Sequence, residues 1–106
     1  MASTAVEQSI SIASVSADLP ILTEATTSRV VVNNDVLRVV DFVFDAGQLL
    51  TEHASPKAVV VTLLEFDVAG ETTLLSDGGM IYLAPGERHA LRAVTPCRMR
   101  LVMVNV

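Results

Sequence analysis

A chain of 106 residues that is 51% hydrophobic and only 18% charged has enough apolar mass for one packed core and too much to stay disordered. Its formal net charge of -5 excludes a surface built to displace counterions from a phosphate backbone, so nucleic acid is not an expected partner. No apolar run reaches the length of a bilayer span before a charge or turn residue interrupts it, and the N-terminus lacks the basic opening and apolar block of a secretory signal, so no membrane is expected either.

In chain order, residues 1–24 are rich in Ser and Ala, with a loose alternation of Ile10, Ile12 and Val15, and read as an N-terminal arm ordered only when docked on a sheet or a partner. Residues 25–106 are the domain. A short strand is predicted over 29–32, after which Asn33, Asn34 and Asp35 supply turn chemistry. The run 37–44, LRVVDFVF, is apolar on both faces and reads as a strand between two layers. The long β-branched run 58–68 reads as one bent strand or two joined by a bulge, with Ala69 and Gly70 turning the chain and 71–75 pairing back.

Residues 76–79, SDGG, form the clearest turn, followed by strands over 80–83 and 90–94 on either side of Pro85-Gly86. No helix with Lys or Ser/Thr follows Gly78-Gly79, so that turn is not a phosphate loop. Residues 98–104 set Met99, Leu101 and Met103 against Arg98, Arg100 and Val102, which suits an outer strand with one wetter face. About eight to ten short strands with no helical pattern give an all-β barrel or sandwich.

The chemistry rests on two histidines. His89 stands where a strand begins after the Pro85-Gly86 turn, and His53 closes the segment 47–55, GQLLTEHAS. A histidine in an apolar strand is most simply a lining residue satisfied by hydrogen bonds, and a neutral imidazole can both donate and accept in a small-molecule pocket. Ser55, two residues beyond His53, would add a hydroxyl on the same face of an extended segment. Tyr82, the only tyrosine, either turns its hydroxyl to a cavity or fills the core, and the core is the simpler reading. Met80, Met99 and Met103 read as core or interface filler.

The single cysteine, Cys97, rules out an internal disulfide and fits a cytoplasmic location. Arg98 and Arg100 near it would lower its pKa, but no histidine or acid adjoins it as a base. Arg88 and Arg92 flank His89 and could attract an anionic ligand.

The two segments, with Gly47, His53 and Glu71 in the first half and Gly79, Gly86 and His89 in the second, resemble the paired motifs of the cupin superfamily over roughly residues 35–104. The resemblance implies a double-stranded β-helix, or jelly-roll, barrel. It also implies a homodimer, with the run 37–44 and the arm as the interface, and a lumen that takes a small-molecule ligand. Its cofactor would be a divalent transition metal, Fe, Mn, Zn, Ni or Cu, and the metal positions that match are His53 and His89.

The family's pattern has two histidines two apart, then a glutamate, then a fourth ligand. Here the second histidine is replaced by Ser55 and the glutamate by Val59. Glu52 adjoins His53 and should point the other way, while Glu65 and Asp67 enter only through a register shift. The candidate ligand-binding set is therefore His53, Ser55, Tyr82 and His89. Three functions follow: small-molecule binding with a weak or incomplete metal site, a metal-dependent oxygenase or isomerase, and a non-catalytic dimeric structural or regulatory module.

Overall fold

Short Val- and Leu-rich runs separated by Gly, Pro, Asn and Asp cannot close helical turns, and they fold as strands. The computed structural model describes residues 4–12, 19–65, 68–70, 74–75 and 78–105; at 51–54, 63–65, 68–70, 74–75, 88 and 89 it is read through the backbone and its register. Among the described residues there are nine strands and no helix: β1 (Thr26–Asn33), β2 (Leu37–Phe44), β3 (Leu49–Ala54), β4 (Ala58–Glu65), β5 (Val68–Gly70), β6 (Leu74–Leu75), β7 (Met80–Leu83), β8 (Arg88–Ala93) and β9 (Cys97–Val104).

The strands form two antiparallel sheets, β1-β2-β9-β4-β7 and β3-β8-β5-β6. From β2 onward every connection crosses from one sheet to the other except the β5–β6 hairpin, which is the winding of a jelly roll. Phe44, Val59, Val61, Met99 and Leu101 of the larger sheet pack with Ala93 of the smaller, and Leu50 and Leu91 lean against them. Register carries the pattern across the larger sheet: Phe44 faces Cys97, Phe42 faces Met99, and Val61 lies between Leu101 and Ile81. These positions mark the inner face. The alternate residues lie on the outer one.

Several expectations change. The strand at 98–104 is not an outer strand: β9 is third of five, hydrogen-bonded to β2 on one side and β4 on the other. Its second face is only partly wet, because Arg98 is buried and its Nε donates to the Leu19 carbonyl (3.1 Å). Asp41 on β2, wholly buried on that outer face, takes a two-pronged ion pair from Arg100 through Nε (2.6 Å) and Nη2 (2.8 Å). The run 58–68 is two strands in different sheets, and Ala69 and Gly70, read as a turn, belong to β5, where they pair with Arg92 and Leu91. Glu71 and Asp67 lie outside the described residues.

Besides the Leu19 carbonyl that accepts from Arg98, the arm touches the domain near both of its ends. The Thr4 N–H donates to the Asn33 carbonyl (2.8 Å), and the Glu24 N–H, at a residue with φ of 52°, donates to Asp45 Oδ2 (2.7 Å) as the chain turns into β1. Among the described residues no helix is long and apolar enough to cross a membrane.

Candidate functional site

Four strand ends define one mouth of the barrel. β3 ends at Ala54 and β4 starts at Ala58; β7 ends at Leu83 and β8 starts at Arg88. The two connectors between them are tied together, since the Gly86 N–H donates to the Ser55 carbonyl (2.7 Å). Gly86 holds φ at 82°, which a side chain would strain, so the Pro-Gly sequence has a local reason for its place. The Glu87 N–H closes the same turn on the Ala84 carbonyl (3.1 Å).

Within this mouth His53 and His89 are direct register partners across the β3–β8 ladder. On β8, alternation places 89 on the same face as Leu91 and Ala93, both of which pack on the core. On β3, however, Leu50 also faces the core, and simple alternation from it would send 53 outward. The register shift between Leu50 and His53 resolves the conflict: three steps on β3 span two on β8, from the Leu50–Leu91 pair to the His53–His89 pair. A β-bulge thus returns 53 to the inner face, with Thr51 and Glu52 falling in the shift. Position 53 lies within β3, one residue before the strand ends.

Facing this pair, the last inner row of the larger sheet runs Arg38, Met103, Val59, Leu83 across β2, β9, β4 and β7. Val59, in the position of the family's glutamate, is 3% exposed and part of the core cluster. The second bulge, between Leu63 and Glu65, brings Glu65 into register with Arg98, on the outer face at the far end of β4. The alternate carboxylate at 65 is therefore carried away from the histidines.

Ser55 lies just beyond β3, half-buried, and its Oγ accepts the Lys57 N–H (3.1 Å) in a local turn while its carbonyl takes Gly86. Tyr82 departs from expectation: it pairs with Val60, alternates with the core-packed Ile81 and Leu83, and is 58% exposed on the outer face, so it neither fills the core nor shares the histidines' face. Met80 behaves likewise at 54%, whereas Met99 is fully buried and Met103 leans on the core.

Cys97 faces inward, opposite in parity to Arg98 and Arg100, and burial pushes its thiol from an ordinary 9.0 up to about 11. The expected activation by neighbouring arginines is thus reversed by desolvation. An open hollow of about 430 Å³ lies between the arm and the β1–β2 turn, lined by Thr4, Val6, Gln8, Asn33 and Asp35 among others, and no histidine borders it.

No protein-family model and no curated protein matches the chain in sequence. Solved structures match it in shape. A conserved protein of unknown function from Streptococcus pyogenes superposes with a TM-score of 0.80 at 25% identity, covering 100% of this chain and 96% of the other. A cupin superfamily protein from Desulfitobacterium hafniense gives 0.82 at 11% identity, covering 87% and 88%. Salicylate 1,2-dioxygenase from Pseudoaminobacter salicylatoxidans gives 0.71 at 19% identity, with 79% of this chain matching 27% of the enzyme's. Strand winding, the paired turns and these likenesses agree, and the chain has the fold of the cupin superfamily, a small all-β jelly-roll barrel.

Proposed function

We propose that this protein binds a small molecule in the mouth of its barrel, with His53 and His89 as neighbouring hydrogen-bonding positions on one wall and no complete metal shell. The observation that carries this reading is the His53–His89 register on the inner face, set against the core-packed Val59 at the place where a third ligand would stand. A catalytic zinc site needs about three protein ligands, and the non-haem iron triad needs two histidines and a carboxylate. His53 and His89 fit two of these positions. Val59 has no donor, and the Ser55 hydroxyl oxygen already accepts a backbone N–H, so the donor set does not fit a resident metal.

Metal analysis of protein purified without chelator, after growth in iron, manganese, zinc, nickel and copper, tests this. The expected result is far less than one metal per chain. Stoichiometric metal that disappears in the His53→Ala/His89→Ala variant would overturn the proposal in favour of the metal-dependent enzyme, a reading that the same histidine register favours. Homodimerisation is also a proposal, supported by the exposed Met80 and Tyr82 on edge strand β7 rather than by the run 37–44, whose Asp41 and Val43 are buried within the chain. Sedimentation equilibrium distinguishes a dimer from a monomer.

A further inference from the structure

The hollow of about 430 Å³ between the arm and the β1–β2 turn is a concave surface separate from the histidine mouth, and both of its walls are held in place. One wall is the turn. Asn34 Oδ1 accepts the N–H groups of Val36 (2.9 Å) and Leu37 (3.1 Å), and the Asn34 N–H donates to the Leu37 carbonyl (3.1 Å). Asn105, just after β9, pins the same turn through its N–H to the Val36 carbonyl (2.9 Å) and its Nδ2 to the Asp35 carbonyl. The other wall is the arm, where Thr4 and Asn33 exchange two hydrogen bonds and the Gln8 N–H closes a turn on the Ala5 carbonyl (3.1 Å).

The polar groups left over on these walls are of both kinds. With Oδ1 committed to the turn, the Asn34 amide has its Nδ2 left to donate. Thr4 Oγ1 accepts from the Asn33 N–H (3.4 Å) and keeps its own hydrogen. Among the described residues nothing partners the Gln8 amide, which both donates and accepts, or the Asp35 carboxylate, which accepts. Val6, also on the lining and 55% exposed, adds an aliphatic surface.

This mixture separates ligand classes. An anion would meet Asp35 and no lining cation, on a chain of net charge -5. A cation would find one exposed carboxylate, a pairing worth little in water, among amide and hydroxyl donors that it cannot use. A hydroxyl donates and accepts, so several hydroxyls on an aliphatic ring answer both kinds of group at once. We propose that the hollow binds a neutral polyhydroxyl compound of monosaccharide size, held between Gln8 of the arm and Asn34 and Asp35 of the turn. The site is complete only while the arm is docked, so its ligand also fastens the arm to the domain. This goes beyond the reading of the mouth and does not depend on it.

The test follows the backbone amide and histidine ring resonances of the full chain by NMR while D-glucose, D-galactose, D-mannose and myo-inositol are added in turn, with acetate and propylammonium as charged controls. At least one polyol should shift the amides of Gln8, Asn34 and Asp35 saturably, slow hydrogen exchange at Thr4 and Gln8, and leave both imidazoles unmoved; the charged controls should do none of this. Gln8→Ala and Asp35→Ala, at exposed positions, should each weaken binding by about threefold to tenfold, the loss typical of one hydrogen bond. Glu7→Gln, which does not line the hollow, should leave it unchanged. Polyols without effect, charged controls that bind as well, unaltered affinity in either alanine variant, or shifts confined to the histidine rings would each overturn the proposal and leave the small-molecule reading of the mouth standing.

Discussion

The two ends of the barrel are made of different material. At the end away from the histidines, Phe44, Cys97 and Met99 are all fully buried, and Phe42 stacks on Phe44 with ring centroids 5.8 Å apart. At the mouth, the inner positions are His53, His89 and Arg38 beside Val59, Leu83 and Met103. Labour is divided along one axis: packing energy concentrates in the Phe44, Cys97 and Met99 layer, while the other end carries inner positions whose polar residue types cost stability.

Substitutions at the closed end should do the most harm. Phe44→Ala removes a wholly buried ring from between the sheets and should lower unfolding free energy by roughly 3–5 kcal/mol, read from urea denaturation. Next comes the outer-face ion pair. Arg100→Met strands the buried Asp41 carboxylate and should cost about 3 kcal/mol; Asp41→Asn should cost less, because the Arg100 side chain is 30% exposed and can turn to water.

A pH effect of intermediate size belongs to Cys97. Its folded pKa is raised to about 11 from 9.0, so the neutral thiol favours the folded state. That contribution is complete below pH 9 and is lost as the pH climbs from 9 towards 11. The fall should be about 2–3 kcal/mol, and Cys97→Ala should flatten it in alkaline denaturation curves. The smallest effect is expected at the mouth. His53→Ala and His89→Ala should each change stability by about 1 kcal/mol or less while abolishing ligand-induced ring shifts at the remaining histidine. If these mouth variants cost as much as Phe44→Ala, the division between the ends does not hold.

Much of this division could be read from the residues. The runs at 37–44 and 80–83 and the Pro85-Gly86 turn required only local pattern and spacing, while the association of His53 with His89 came from the resemblance to the cupin motifs. What escaped were relations set by partners distant in sequence. Alternation in 98–104 looks the same whether the strand is central or peripheral, and Asp41, the partner that buries the Arg100 charge, stands 59 residues away. Tyr82 has the composition of a core residue and the parity of an outer one, and parity is fixed only once β7 is paired with β4. The bulge in β3 leaves no signature in GQLLTEHAS, yet it decides which of Glu52 and His53 faces inward. Arg38 sits in an apolar run far from either motif, and only the register across β2 and β9 brings it to the mouth.

The central claim is that His53 and His89 stand opposite each other on neighbouring strands, and a cysteine pair tests it directly. Antiparallel register partners have Cα atoms about 4.5–5.5 Å apart, within the range a disulfide spans. In His53→Cys/His89→Cys, with Cys97 sealed in the core, mild oxidation should give an intramolecular disulfide, seen as the loss of two hydrogens by intact mass and of both accessible thiols. Two thiols that stay free and label independently under oxidation would place the histidines apart and contradict the account.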